Sequence, residues 1–230
     1  MRKNNIDSKI NVLYEDNHLI AVNKKIGDIV QGDKTGDKPL GDYIKDYLKV
    51  KYKKPGKVFL GVTHRLDRPT SGVIIFARTS KALTRMNQLF QDKKIKKKYW
   101  AIVKECPQNI EGVLKNFLKK NQTKNKSFVV VKEEKNALLA ELKYKLKKKL
   151  NSLYLLEINP KTGRHHQIRT QLAHIGCPIK GDVKYGFNRS NINGGIYLHA
   201  RSISFVHPVK KKILEITAPT PKDIIWDNCV

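Results

Sequence analysis

The sequence predicts an α+β fold built on a mixed, mostly antiparallel sheet with flanking helices. Short apolar runs that suit strands outnumber helical patterns, and the two kinds alternate irregularly rather than as regular strand–helix–strand units. Hydrophobic residues make up 40% of the chain, which is enough to build a core. Neither an internal repeat nor a linker divides the sequence, so we expect a single domain over residues 1–230.

The first half of the chain combines short strand patterns with two helical ones. Apolar residues spaced i, i+3, i+4, i+7 and i+8 from Leu40 predict the first helix. The second helix follows Thr79 or Ser80, either of which can cap its first turn. Strands are expected at residues 11–14, 19–23, 58–62 and 72–77, with polar loops over residues 26–39 and 61–70.

The second half of the chain is richer in strand patterns. Strands are expected at residues 98–103, 128–132, 140–146, 153–158, 197–205 and 213–217. The basic stretch over residues 107–127 is predicted to be irregular. Residues Gly163–Ile175 fit a helix that Gly176 ends.

The charge of the chain predicts a polyanionic partner. Lys and Arg number 47 against 20 Asp and Glu, which gives a formal net charge of +27. Lysines concentrate at residues 93–98, 119–126, 143–149 and 210–212. Any one cluster could equally be a solvated face, but the set as a whole favours contact with nucleic acid phosphates.

Several classes of protein are excluded by the sequence. No apolar run approaches the roughly 18–20 residues that span a bilayer, and no signal peptide opens the chain, so no membrane partner is expected. The phosphate-binding and dinucleotide-binding glycine motifs are missing, so we expect no nucleotide cofactor. The isolated cysteines fit a reducing cytoplasm: Cys106, Cys177 and Cys229.

One short segment places a carboxylate among cations. Asp67 lies between Arg65 and Arg68, three residues after His64, just before a buried strand. An acid surrounded by positive charge is expected to be ionised, which suits a nucleophile or a base. The alternative, from the residues alone, is a structural salt bridge that braces a loop.

A second segment, residues 159–169, displays side chains that suit phosphate and base edges. Gly163 permits close backbone approach, and the Arg and Gln side chains that follow are planar hydrogen-bonding groups. The neighbouring His165 and His166 do not form a metal site in this interpretation, because adjacent helical residues diverge and no acidic or Cys partner stands one turn away. A charged helix start on the surface is the alternative.

Together the two segments resemble the RluA-type pseudouridine synthases. Residues 64–72 (HRLDRPTSG) match that family's His-Arg-Leu-Asp-x-x-Thr-Ser-Gly signature, and residues 163–169 (GRHHQIR) approximate its Gly-Arg-Thr-His-Gln-Ile-Arg stretch. Further similarity runs through residues 12–25, 96–103, 178–186 and 198–208. The resemblance implies a catalytic domain with a central active-site cleft that isomerises uridine to pseudouridine in RNA without a cofactor or metal.

The resemblance also assigns roles to individual residues. Asp67 matches the catalytic aspartate of the family. Tyr99 matches the tyrosine that stacks on the target base, and Arg169 matches the basic residue that pairs with the aspartate. These assignments predict that residues distant in the sequence form one site.

Three further positions complete the substrate-binding residues that the resemblance implies. Arg65 matches the arginine that fills the gap left by a flipped nucleotide, while His64 and Gln167 match motif positions of less defined role. Lys25 stands where the family has Pro, and His165 where it has Thr. These departures concern substrate choice more than reaction type.

The expected partner is RNA, either of the large ribosomal subunit or transfer RNA, bound by a monomer without the small N-terminal RNA-binding domain of many relatives. A non-catalytic RNA-binding or ribosome-assembly protein on the same fold is the alternative, motivated by the net charge. A DNA-binding protein is a weaker third, since no helix-turn-helix or zinc-finger pattern is present.

Overall fold

A computed structural model describes residues 10–32 and 35–229 of the chain and has an α+β fold. The strands are β1 (Val12–Glu15), β2 (Leu19–Lys24), β3 (Gly61–Val62), β4 (Ser71–Ala77), β5 (Lys96–Val103), β6 (Glu111–Asn121), β7 (Lys126–Val130), β8 (Leu138–Leu150), β9 (Leu153–Pro160), β10 (Leu198–Val206) and β11 (Ile213–Thr217). The helices are α1 (Leu40–Lys51), α2 (Ser80–Gln91), α3 (Gln167–His174) and α4 (Ile224–Asp227), with a 3-10 turn at Val183–Tyr185. Within the described part of the chain, no helix is both long and apolar enough to cross a bilayer.

The contacts between residues divide the chain into two compact units. The first runs to Ile95 and resumes over Ala200–Pro221, and the second covers Lys96–His199 and resumes at Lys222. Each unit therefore combines segments that are distant in the sequence. The expectation of one catalytic domain over residues 1–230 stays a prediction.

The first unit is built around the fully buried strand β4, whose seven residues are all shielded from solvent. β4 pairs antiparallel with β2 and β3, β1 pairs with β2, and β11 pairs with β10, which neighbours β4. Helix α1 buries one face that includes Ile44 and Leu48, as its apolar spacing predicts. Helix α2 packs on β3 and β4, and its N-cap is Thr79, whose side chain accepts a hydrogen bond from the backbone nitrogen of Ala82 at 3.2 Å.

The second unit is an antiparallel sheet in the order β5-β9-β8-β6-β7, with α3 against β6 and β7. Its core brings together side chains from β5, β8, β9, α3 and α4, among them Trp100, Leu142, Leu155, Leu172 and Trp226. The other face of β6 and β8 carries exposed lysines, so the sheet is apolar on one side and charged on the other.

The prediction that residues 107–127 are irregular is wrong, because β6 occupies most of that stretch. Exposed and half-buried positions alternate from Glu111 to Asn116. With one face open to solvent, Lys and Asn fill alternate positions and remove the apolar signal. Strand β8 is also longer than expected, since it continues through a register shift between Leu146 and Lys148.

Two other elements are shorter than predicted. The strand expected at residues 58–62 pairs only at Gly61 and Val62. Helix α3 begins at Gln167 rather than Gly163, because His166 adopts a left-handed conformation with φ 52° that a helix cannot include. Arg164 and His165 therefore lie in the turn before the helix and not on it.

Candidate active site

Asp67 lies in the loop that joins β3 to β4. The backbone nitrogen of Thr70 donates to the backbone oxygen of Asp67 at 3.0 Å, which closes a turn over Arg68 and Pro69. The Asp67 side chain is half-buried. The carboxylate thus projects from a hydrogen-bonded turn directly before the buried strand β4, as the sequence predicts.

The residues before Asp67 fasten this loop to β4 through their side chains. The Thr63 hydroxyl donates to the backbone oxygen of Ile75 at 2.7 Å, and the Ile75 nitrogen donates to Nε2 of His64 at 3.1 Å. The His64 ring also lies 5.1 Å from the ring of Phe90. Because Nε2 accepts a hydrogen bond, His64 fixes the loop rather than presenting that nitrogen to a substrate.

The two arginines of the loop are exposed. Nη1 of Arg65 donates to the Gln31 side chain at 3.3 Å. Arg68 forms an ion pair with Asp37, with Nη2 and Oδ2 2.6 Å apart. Both contacts connect the Asp67 loop to the loop that precedes α1. The Arg68–Asp37 ion pair lies at the surface, where ion pairs contribute little stability.

A buried lysine that the sequence analysis did not single out lies beneath the turn. Lys24 ends β2, is 1% exposed, and directs its ammonium group at the backbone of the Asp67 turn. Burial lowers its pKa to about 8. Two signals in the sequence could have found this residue: its position at the end of an apolar run, and its match to the Lys of the Asn-Lys-Pro stretch in the family that the sequence resembles.

In the second unit, Arg169 forms a buried bidentate ion pair with Asp182. Nε lies 2.7 Å from Oδ2 and Nη2 lies 2.8 Å from Oδ1, while the two residues are 5% and 1% exposed. The guanidinium also lies 5.0 Å from the centroid of the Tyr185 ring. Arg169 is therefore held by its Nε edge in a fixed orientation, and Asp182 and Tyr185 are functional candidates that sequence reasoning missed.

A polar network continues behind Tyr185. Its hydroxyl accepts from the backbone nitrogen of Ser127 at 2.8 Å and lies 2.9 Å from Nδ1 of His166. Burial, reinforced by the charge of Arg169, lowers the pKa of His166 to about 2, so this ring is neutral. Its Nδ1 can then accept a hydrogen bond from the Tyr185 hydroxyl. His165 stacks on His166, with ring centroids 3.7 Å apart. The network braces the residues around Arg169.

Gln167 uses its side-chain amide within its own unit. Oε1 accepts from the Thr162 hydroxyl at 2.7 Å and from the Arg164 nitrogen at 3.0 Å, and Nε2 donates to the backbone oxygen of Glu141 at 3.1 Å. These bonds organise the turn that leads into α3. They account for the placement of Gln167 without a substrate.

Tyr99 is half-buried on β5, opposite Ile158 of β9. The predicted site residues thus fall into two groups: His64, Arg65 and Asp67 in the first unit, and Tyr99, Gln167 and Arg169 in the second. The pairing of Asp67 with Arg169 and the central cleft stay predictions. Among residues 10–32 and 35–229, no three His, Cys, Asp or Glu side chains are grouped as metal ligands would be.

Residues 18–174 match the family described as RNA pseudouridylate synthase. The chain belongs to this family. The matched range includes the Asp67 turn, Tyr99 on β5 and most of α3 with Arg169. The family predicted from the sequence, and with it the enzyme class of RNA pseudouridine synthases, is confirmed.

Curated relatives carry the name ribosomal large subunit pseudouridine synthase C. The protein of that name from Buchnera aphidicola subsp. Baizongia pistaciae is 37% identical to this chain over 217 aligned residues. The alignment covers 90% of this chain and 66% of the relative. That from Buchnera aphidicola subsp. Schizaphis graminum is 36% identical over 95% of the chain and 69% of its own length. The chain therefore corresponds to about two thirds of these relatives.

A solved structure confirms the predicted fold class. Human RNA pseudouridylate synthase domain containing 4 superposes with a TM-score of 0.77 at 26% identity, and the match covers 94% of this chain and 90% of that one. The α+β architecture with its mostly antiparallel sheet is that of a pseudouridine synthase domain.

Proposed function

We propose that this chain converts uridine to pseudouridine in the RNA of the large ribosomal subunit, with Asp67 as the catalytic carboxylate. The observation that carries the proposal is the family match over residues 18–174. Within this range, the segment around Asp67 is the one that most clearly resembles the family's signature. The names of the relatives support the choice of RNA. Their names lend no support to the non-catalytic alternative.

The reaction moves the attachment of the ribose from one atom of the uracil ring to another. The bond from ribose C1′ to N1 breaks, a bond from C1′ to C5 forms, the proton on C5 is lost, and N1 gains a proton. The reaction is an isomerisation with no net oxidation or reduction, so Asp67 and the substrate suffice without an electron carrier. An ionised Asp67 can assist by attacking C1′ or removing the 2′ proton, or by adding to the uracil ring; we favour the ribose route from the family resemblance.

The target base must leave its stack before this exchange is possible. Extruding a nucleotide costs roughly a few kcal/mol, which contacts between lysines and phosphates can offset. Tyr99 would stack on the extruded uracil, Arg65 would fill the gap, and Arg169 would pair with Asp67. Asp182 supports this role of Arg169 by holding the other edge of its guanidinium.

Several finer features belong to the same proposal. We expect a monomer that works in the cytoplasm without a cofactor or metal. Transfer RNA is the second candidate substrate. Mapping pseudouridines in ribosomal and transfer RNA from a wild-type and a deletion strain separates the two: sites lost from the large-subunit RNA support the proposal, and sites lost only from transfer RNA overturn the choice of substrate.

The catalytic assignment is tested with RNA that carries tritium on C5 of uridine. Because the C5 hydrogen is lost as the new bond forms, turnover releases tritium to water. We expect Asp67→Asn to abolish release and Asp46→Asn, the same change on an exposed residue of α1, to leave it at the wild-type rate. Release by Asp67→Asn at the Asp46→Asn rate contradicts the assignment.

A further inference from the structure

Four exposed lysines share one side of the antiparallel sheet in the second unit. Lys115 lies on β6, and Lys143, Lys145 and Lys147 lie at alternate positions of β8. Side chains at alternate positions of a strand point to the same side of a sheet. Lys147 follows the register shift of β8, but its Nζ lies 3.8 Å from Oε2 of Glu157, which pairs with Lys145, so Lys147 is also on this side. We call these four lysines the lysine face.

Positive charge exceeds negative charge strongly on this sheet. Its strands, β5 to β9, carry twelve lysines and three carboxylates. Each carboxylate is already paired with a lysine: Glu111 with Lys145, Glu141 with Lys161, and Glu157 with Lys98 and Lys147. Lys115 and Lys143 form no ion pair with the residues that the structure describes. Alternate residues of a strand are about 7 Å apart, so neighbouring ammonium groups of the lysine face repel one another, and a bound polyanion would relieve this repulsion.

The opposite side of the same sheet holds the candidate site residues of this unit. Tyr99 and Tyr144 pair with the same residue of β9 and therefore share one side, whereas Tyr144 stands between two members of the lysine face. Helix α3, which carries Arg169, lies on the side of Tyr99, because Gln171 donates to Oδ1 of Asn116 at 2.8 Å and Asn116 adjoins the β6 lysine of the lysine face. A nucleotide in contact with Tyr99 is therefore not the group that the lysine face contacts.

A partner for the lysine face must present repeated negative charges across two neighbouring strands. The phosphates of RNA have this arrangement, and the proposed function, on which the inference rests, supplies RNA as the substrate. We propose that the lysine face binds phosphates of the large-subunit RNA outside the segment that holds the target uridine. Such contacts add affinity and salt dependence without reading the base sequence.

The test measures RNA binding by two variants that each lose four positive charges through the same substitution. The lysine-face variant combines Lys115→Gln, Lys143→Gln, Lys145→Gln and Lys147→Gln. The control variant combines changes at four exposed lysines of the first unit: Lys49→Gln, Lys54→Gln, Lys57→Gln and Lys81→Gln. The probe is an in vitro transcript of the large-subunit ribosomal RNA, and its affinity is measured over a series of salt concentrations.

The salt dependence reports how many phosphate contacts are lost. Each contact contributes about 0.7–0.9 to the slope of log affinity against log salt concentration, so the lysine-face variant should lose about 2–3 from this slope. It should also bind the transcript at least about 10-fold more weakly, whereas the control variant should lose less than about 1 from the slope. Equal slopes in the two variants overturn the inference. Wild-type binding by the lysine-face variant leaves this surface to an acidic protein or to solvent and overturns it as well.

A shorter RNA tests where on the substrate the contacts fall. Once the target uridine is mapped, a fragment that contains it and only its immediate stem and loop serves as a second probe. We expect the lysine-face variant to bind this fragment within about twofold of the wild-type affinity, because the phosphates that the lysine face contacts are missing from it. A loss of affinity for the fragment as large as that for the transcript overturns the assignment to phosphates outside the target segment.

Tritium release separates this inference from the proposed function. With the full transcript, the lysine-face variant should raise KM and keep kcat within about twofold of wild type, because the lost contacts act equally on the bound substrate and the transition state. Asp67→Asn should bind the transcript with the wild-type slope and release no tritium. Activity in Asp67→Asn contradicts the proposed function, whereas a wild-type slope in the lysine-face variant contradicts only the role of the lysine face.

Folding of both variants is checked by near-ultraviolet circular dichroism. All four side chains of the lysine face are exposed, so the variant should fold. If it does not, the double variant Lys115→Gln with Lys143→Gln, which breaks neither of the ion pairs of the lysine face, takes its place, with an expected slope loss of about 1–2. If neither variant folds, these lysines serve the fold and the inference is overturned.

Discussion

The start of β4 offers a sharp prediction, because the backbone of Gly72 and that of Ala200 leave no room for a side chain. A Cβ at Gly72 would lie 2.4 Å from the oxygen, 2.5 Å from the nitrogen and 2.8 Å from the carbonyl carbon of Ala200. All three atoms are backbone, so rotating a side chain gives no relief. The residue also has φ +116°, which L residues rarely adopt.

The expected loss of stability for Gly72→Ala follows from both effects. The disfavoured φ costs about 1–3 kcal/mol. Relieving the overlap requires β4 and its neighbour β10 to separate, which loses hydrogen bonds worth about 1 kcal/mol each. Together these predict a loss of about 4 kcal/mol, a large part of the roughly 5–15 kcal/mol that stabilises a typical domain.

Two other glycines provide matched controls for the same substitution. Gly27 has φ +90° and open space around its Cβ, so Gly27→Ala should show only the backbone penalty. Gly56 has open space and no positive φ, so Gly56→Ala should change stability by no more than about 1 kcal/mol in either direction. Urea unfolding followed by circular dichroism measures all three. A Gly72→Ala loss equal to that of Gly27→Ala would refute the steric reasoning.

Two further predictions concern the second unit. Asp182→Asn should destabilise the protein by about 3–5 kcal/mol in urea unfolding, because it removes the carboxylate that binds Nε and Nη2 of the buried Arg169 guanidinium. Glu111→Gln, which breaks an exposed pair with Lys145, should cost less than about 1 kcal/mol. Equal losses in the two variants would contradict this reasoning. Because the pKa of His166 is lowered to about 2, the unfolded chain binds a proton below about pH 6.5 that the folded chain does not. Stability should therefore fall with decreasing pH in this window, by up to about 1.4 kcal/mol per pH unit from this group, and His166→Gln should remove that part of the slope. An unchanged slope in His166→Gln contradicts the account.

The sequence predicts the elements whose signal is local. The apolar spacing from Leu40 places α1, and the continuous apolar run before Arg78 places β4. Strand β6 escapes prediction because its exposed face carries Lys and Asn, which look the same in a strand and in a loop. The start of α3 escapes because it depends on the backbone conformation of His166, which composition does not determine.

The residues of the candidate site also divide into those that the local sequence indicates and those that it does not. Asp67 is recognisable because its neighbours form a distinctive sequence motif, and the family match includes that motif. Lys24 and Asp182 lie in segments that match the family, but the sequence does not single them out, because burial and partners distant in the sequence set them apart. Long-range hydrogen bonds decide which of many lysines and carboxylates matter, and only coordinates reveal them.

The division of the molecule into units that are each discontinuous in sequence constrains how the protein can be made. The chain passes from one unit to the other after Ile95, returns after His199, and leaves again after Pro221. When Asp67 has just emerged from the ribosome, β10, the strand that neighbours β4 in the sheet, has not yet been synthesised. The Asp67 turn consequently acquires its complete surroundings only after residues 198–206 have been synthesised, and neither unit can be obtained by cutting the gene at a single point.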